Sequence, residues 1–328
     1  MRVLLTGGSG FVGAGLAAEL VGAGHLVVAF DNNSRGSKER LARFGDAVEF
    51  VEGDVRDLDA VRRATKGCEV VWHLAYINGT RYFYERPDDV LEVGVKGTVN
   101  TIDAALEAGV RRYVLASTSE TYNEPTKVPT DESEPLKIPD ILNPRFSYGG
   151  GKIACELLTQ HLARPRGLET VIFRPHNFYG PDMGHEHVIP EIVRRIVDLT
   201  DGLTKTSVDL PIQGDGSQTR AFCFVTDGAR GAFLAGEHGA SGEIYHIGTD
   251  HELPIRDLVT MIGAALGVDV TIVPGELRTG GTSRRCPDIT KVRALGYEPQ
   301  VSLEDGIAVT AHWYAEQYGA QVAAGAGA

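Results

Sequence analysis

The chain of 328 residues is 42% hydrophobic and 23% charged, with a formal net charge of -12, the proportions of an ordinary globular protein. The acidic balance argues against broad nucleic-acid binding or attachment to an anionic membrane surface, and no apolar run approaches the ~20 residues of a membrane span. Cys68, Cys155, Cys223 and Cys286 stand singly, without a C-x-x-C pair, and read as reduced, mostly buried thiols.

The start MRVLLTGG leads straight into a strand pattern, too short and wrongly flanked for a signal peptide, so a cytoplasmic protein is expected. Strands are predicted over Val3–Thr6, Leu26–Phe30, Val48–Glu52, Glu69–Leu74, Tyr113–Ala116 and Thr170–Phe173. Amphipathic helical stretches fall near Phe11–Val21, Leu58–Ala64, Pro87–Ala108 and Ser147–Leu162. This alternation implies βαβ units: an α/β, doubly wound parallel Rossmann sheet. A proline-rich, acidic loop covers about Asn123 to Pro144.

Beyond Arg174 the rhythm loosens, with helices near Pro190–Leu199, Asp227–Glu237, Ile255–Leu266 and Leu303–Gln317. The expected division is a nucleotide-binding domain over residues 1–175 and about 221–250, returning to the sheet at Phe222–Val225 and Ile244–Ile247. A smaller, interleaved α/β substrate-binding lobe covers 176–220 and 251–318. The ending GAQVAAGAGA is expected to be a flexible tail over 319–328.

Thr6-Gly7-Gly8-Ser9-Gly10-Phe11-Val12-Gly13 follows a strand and opens a helix. Gly7 permits the turn, Gly10 lets a pyrophosphate approach the backbone, and Gly13 allows close helix packing. The helix N-terminus offers free N–H groups and a positive dipole end to the phosphates. Asp31 ends the next strand, where a carboxylate bonds adenosine ribose hydroxyls and repels a 2′-phosphate, so NAD is favoured over NADP; Arg35 lies close by. Asp54 ends the third strand and is assigned to adenine, with Ala75 at the far ribose. The expected cofactor contacts are Gly7, Gly10, Phe11, Val12, Gly13, Asp31, Asn32, Asp54, Val55, Leu74 and Ala75, joined by Tyr148 and Lys152. His73 is given no chemistry.

Tyr148-Gly149-Gly150-Gly151-Lys152 puts a phenol and an ammonium four apart at a helix start, on one face. A lysine near a phenol lowers its pKa, so a tyrosinate can take a proton from a substrate hydroxyl as hydride leaves. With TGGSGFVG, strand-end Thr118 and this pair in order, the chain resembles the extended short-chain dehydrogenase/reductases. Within them it is similar to the NAD-dependent nucleotide-sugar epimerases and dehydratases. The resemblance covers nearly the whole chain. His73-Leu74-Ala75 resembles that family's HLAA, Gly97-Thr98 its GT, and Asn177-Phe178-Tyr179-Gly180-Pro181 its NVYGP. Gly214-Asp215-Gly216-Ser217-Gln218-Thr219-Arg220 resembles GDGxQxR, and Arg284-Arg285-Cys286-Pro287-Asp288-Ile289 resembles RRxPDI.

The resemblance implies that Tyr148 is the base, Lys152 its partner and a ribose ligand, and Thr118 the hydrogen-bonding group at the sugar C4 oxygen. It implies nucleotide-sugar contacts from Ser119, Asn177, Val188 and Arg220, and from one of Arg278, Arg284 or Arg285. It also implies a homodimer through the helices near Pro87–Ala108 and Ser147–Leu162. His185-Glu186-His187 invites a metal, but the i, i+2 spacing splits the histidines between helix faces, and none is expected. Three positions depart from the pattern: Asn123 for Gly, Thr121 for Val, and Gly94 for Asn.

The shared first step yields a 4-keto sugar. Hydride return to the other face gives 4-epimerisation, the leading expectation. A carboxylate near C5 permits removal of its proton and loss of a hydroxyl, giving 4,6- or 5,6-dehydration; a C6 carboxylate in the substrate is lost as carbon dioxide. Glu120, in Ser117-Thr118-Ser119-Glu120, resembles the mechanistic glutamate of dehydratases and decarboxylases and also occurs in epimerases, whereas Ser119 is a poor acid for expelling water. The bland alternative has Glu120 bonding its own loop. A protein that binds NAD without turnover is a further alternative, against which Tyr148, Lys152 and Thr118 argue.

Overall fold

A computed structural model describes residues 1–276 and 282–325. Seven parallel strands form one sheet: β1 Arg2–Thr6, β2 Leu26–Asp31, β3 Val48–Glu52, β4 Val70–His73, β5 Arg112–Ala116, β6 Glu169–Pro175 and β7 Glu243–Ile247. Their spatial order is β7-β6-β5-β4-β1-β2-β3. The chain therefore reverses direction across the sheet between β1 and β4, the switch point at whose carboxyl ends open α/β sheets bind ligands.

The central strands read as continuous apolar runs because both faces are covered. Val3, Leu5, Trp72 and Val114 pack under the Phe11–Gly22 and Val225–His238 helices, and Leu4, Val71 and Tyr113 under Leu58–Thr65 and Gly97–Glu107. Strand and helix positions follow the sequence expectations closely, with two corrections. Phe222–Val225 does not rejoin the large sheet: Cys223–Phe224 pairs with Phe178–Tyr179 in a two-stranded ribbon. The helix predicted over Pro87–Ala108 carries a wide π-type turn at Glu92–Lys96, centred on Gly94.

The second lobe has its own core, in which Ile189, Val193, Leu258, Ile262, Ile307 and Tyr314 are buried. Its helices are Val188–Leu199, Ile255–Ala265 and Leu303–Gly325. The last of these runs past residue 319, where the sequence analysis starts the tail. Parallel strands Ser207–Gln213 and Asp269–Gly275 cover this core. A separate small sheet joins Glu252–Pro254, Thr219–Ala221 and Arg284–Arg285 and carries arginines toward the end of β5.

One buried ion pair joins the sheet to the Phe146–Leu158 helix. Arg174 on β6 makes two parallel bonds to Glu156, Nε to Oε1 at 2.8 Å and Nη2 to Oε2 at 2.6 Å, with both side chains at most 5% exposed. Ser117 donates to Glu156, and Arg174 donates to the Tyr122 hydroxyl, which also bonds His246. Tyr122, itself buried, is thus part of a polar network. Removing one member of such a pair strands the other charge in the interior. Glu156→Ala is expected to cost about 3–5 kcal/mol of unfolding free energy, read from urea denaturation.

Candidate active site

The turn after β1 explains its glycines. Gly7 has φ +71°, and a Cβ there would lie 2.8 Å from the Ala75 nitrogen. A Cβ on Gly13 would lie 2.1 Å from the Gly7 carbonyl oxygen, so Gly13 lets the helix close onto the turn itself. Gly10 caps the helix, and the Ala14 N–H makes the first bond back to it. The amides of Phe11, Val12 and Gly13 are then the open donors of a helix N-terminus, suited to a pyrophosphate.

Asp31 accepts the Ser9 N–H at 3.1 Å and the Asn33 N–H at 2.9 Å, which fixes its carboxylate at the end of β2. Asp54 is bound by Arg56 and receives a 3.2 Å bond from Asn32. These residues, with Val55, Leu74, Ala75, Tyr148 and Lys152, line one cleft of about 360 Å³. Glycines whose Cβ atoms would fill the cradle, an open helix end and a fixed carboxylate fit a dinucleotide. Arg35 also lines this cleft, where it stands 3.4 Å from Glu186 and lies over the Tyr82 ring.

His73 bonds Thr6 at 2.7 Å through Nδ1 and Thr98 at 3.2 Å through Nε2. Burial, helped by the Lys152 charge, pushes it down to about 3. It is a neutral clamp between β1, β4 and the Gly97–Glu107 helix.

Tyr148, Lys152 and Glu156 follow at intervals of four on one helix face. Lys152 Nζ donates to the Ala116 carbonyl, at the end of β5, at 2.5 Å. Burial is the main cause that lowers the Lys152 ammonium to about 8. Tyr148 stacks on Phe83 with centroids 4.8 Å apart, and burial raises its phenol. The nearby groups that oppose this rise are the Thr118 hydroxyl and Arg35. Thr118 begins the turn Ser119–Tyr122 and accepts the Glu120 N–H at 3.2 Å, while Ser119 is buried in that turn.

Glu120 does not bond its own loop through its carboxylate. Its Oε1 accepts from Arg285 Nη1 at 2.5 Å, and Arg145 stands 3.9 Å from its other oxygen. Burial pushes the carboxyl up, but Arg285, then Arg145 and Arg220, outweigh it and hold Glu120 below the usual range.

Strand register sorts the arginines. Arg285 pairs with Arg220 and Arg284 with Thr219. Because alternate residues face opposite ways, Arg285 and Arg220 face Glu120, while Arg284 and Thr219 both bond Glu252 on the other side. Burial, then Arg285, lowers Arg220 to about 10. Arg278 lies outside the described residues.

Asn177 sits at φ +42° and donates to the Ala221 carbonyl at 3.0 Å, so it shapes the turn beside Arg220. Val188 starts a helix and packs against the second-lobe core. His185 bonds the Tyr318 hydroxyl at 2.9 Å while Glu186 faces Arg35. Of the departures, Asn123 keeps a positive φ of 55°, which Asn tolerates better than most residues. Thr121 bonds the Thr118 carbonyl. Sequence reasoning missed Tyr76, Phe83 and Arg145, which carry no motif; Gly94 and Gly151, whose missing Cβ atoms leave room for Tyr76, are the signals that could have found it.

The NAD dependent epimerase/dehydratase family matches residues 3–248. The chain belongs to this family of extended short-chain dehydrogenase/reductases, and its cofactor is NAD. It is 33% identical over 319 residues to the UDP-glucose 4-epimerase of Mycolicibacterium smegmatis, covering 96% of this chain and 98% of that protein. It is 32% identical over 325 residues to the UDP-N-acetyl-alpha-D-glucosaminuronate decarboxylase of Bacillus cytotoxicus, with the same coverage. The structure of DesIV, the dTDP-glucose 4,6-dehydratase of Streptomyces venezuelae with NAD bound, superposes with a TM-score of 0.85 at 32% identity, covering 97% of this chain and 98% of that one. Relatives of equal similarity therefore carry out three different reactions.

Asp31→Ser removes the carboxylate fixed at the end of β2, which lines the cleft. An expected loss of about 1.5–3 kcal/mol for a charged hydrogen bond corresponds to tenfold or weaker NAD binding, with a smaller margin over NADP, both read by calorimetric titration.

Proposed function

We propose that this enzyme is a nucleotide-sugar 4-epimerase. The single observation that carries the reading is the engagement of Glu120 with Arg285 at 2.5 Å. A base for a C5 proton works best with a pKa raised toward the working pH. Glu120 is shifted the other way by its arginine neighbours, and Ser119 offers no acid to expel a hydroxyl.

Bound NAD supplies the hydride acceptor. Tyr148 takes the proton from the C4 hydroxyl and returns it once the ketone has turned over. Thr118 holds the C4 oxygen in line with Tyr148. The Lys152 ammonium stabilises the tyrosinate through the field of the site and reaches the ribose. Arg285 and Arg220, on neighbouring strands facing the site, fit the diphosphate of a nucleotide sugar, and their excess charge over Glu120 favours an anion there. Dehydration through Glu120 and decarboxylation of a uronate are the competing readings, and product masses separate them.

The assembly proposed is a cytoplasmic homodimer. Leu91 and Leu157, 41% and 56% exposed, stand on the two helices expected at the interface. The proposed division of labour keeps the sheet for NAD and the second lobe for the nucleotide sugar.

Tyr148→Phe is expected to abolish turnover with NAD still bound. Glu120→Gln is expected to leave epimerisation within about tenfold, whereas loss of a true acid/base group costs about 10²–10⁴-fold. Mass spectrometry of products from UDP-glucose, UDP-glucuronic acid and dTDP-glucose should show unchanged mass with altered chromatography. Loss of water or carbon dioxide would replace this reading with dehydration or decarboxylation.

A further inference from the structure

The departure at Gly94 has a physical partner. Tyr76 follows His73-Leu74-Ala75, and its hydroxyl end fills a slot between two helices. A Cβ on Gly94 would lie 2.2 Å from the Tyr76 ring, and one on Gly151 would lie 2.2 Å from its hydroxyl. Both glycines are therefore needed for this ring position, and Gly94 lies in the wide turn of its helix.

The ring meets both members of the Tyr/Lys pair. Lys152 Nζ stands 4.1 Å from the Tyr76 ring centroid. The Tyr148 ring meets Tyr76 edge-on, with centroids 5.2 Å apart and planes at 88°. The Tyr76 hydroxyl is buried without a hydrogen-bond partner among the described residues, so the aromatic face, rather than the hydroxyl, is the interacting part.

Lys152 is 3% exposed, and among the described residues its hydrogen bond is to one neutral carbonyl. A buried ammonium needs compensation, and Glu156 is already committed to Arg174 and Ser117. The π-face of Tyr76 supplies it, since such contacts strengthen when desolvated.

We propose that Tyr76 is a positioning residue for the oxidation step, its face carrying the Lys152 ammonium and its edge orienting the Tyr148 phenol in a slot kept open by Gly94 and Gly151. This rests on Tyr148 and Lys152 being the reacting pair, and not on which sugar or which later reaction follows.

The charged and titratable groups around Lys152 are His73 on β4, Tyr76 after it, and Tyr148, Cys155 and Glu156 on its own helix. Burial depresses the Lys152 ammonium, and the aromatic face stabilises the charged form. Removing that face should make the lysine lose its proton at lower pH.

The test is the NMR titration of Lys152 in full-length protein labelled with ¹³C-lysine, which requires no sugar substrate. Tyr76→Leu is expected to lower the midpoint by about one pH unit, the equivalent of a desolvated cation–π contact. Tyr76→Phe keeps the ring and should titrate as wild type. Gly94→Ala, whose Cβ must displace the ring, should reproduce the leucine shift and keeps the test usable if Tyr76→Leu does not fold. A wild-type midpoint in folded Tyr76→Leu or Gly94→Ala, or a Phe variant shifted as far as Leu, would overturn the proposal. Failure of the epimerase reading in the product assay would leave it standing.

Discussion

The site depends on how one helix face is fastened to the end of one strand. Lys152 reaches the last carbonyl of β5, at Ala116, and Glu156 one turn later accepts a bond from the very next residue, Ser117. Arg174, on the neighbouring strand β6, locks Glu156 from the other side. Tyr148 lies one turn before Lys152 on the same face, so two anchors fix its distance from Thr118, which continues directly from β5. A rigid strand end and a rigid helix thus hold Thr118 and Tyr148 in fixed relation, the pre-organisation that the proposed chemistry needs. Buried ion pairs add little net stability compared with apolar packing. In this fold the pair's value lies in fixing geometry.

The second lobe completes the site by a single reach. Arg285 arrives on a two-residue strand and binds Glu120 across a sequence separation of 165 residues. That contact links the two lobes and sets the chemical character of Glu120. A carboxylate beside one strong cation and near two more is a poor proton acceptor but a good brace. The same glutamate in the same short motif can therefore serve different reactions, according to what the second lobe places against it.

The parallel sheet was legible because the central strands are apolar runs and helical stretches alternate with the strands. The cofactor turn was legible because glycine spacing, strand and helix occur in order. Arg284 and Arg285 of the motif RRxPDI could not be sorted from the sequence, since facing depends on pairing register, and register appears only when Arg285 is set against Arg220. The state of the Tyr148 phenol was also hidden. Lys152 is near in sequence, but Phe83, on the short helix Thr80–Glu85, and Tyr76, in the segment after β4, bury the phenol from positions no local pattern ties to it. Nothing local marks Tyr122 as a member of a polar network. Its bonds to Arg174 and His246 come from residues 52 and 124 positions away.

The central claim is that hydride leaves and returns at C4 while C5 keeps its proton. It is tested most directly by running the reaction on unlabelled nucleotide sugar in deuterium oxide and locating label in the product by NMR. The account predicts a C4 epimer with no solvent deuterium at C5. Deuterium at C5 together with loss of the C6 hydroxyl would contradict it and make Glu120 a working base.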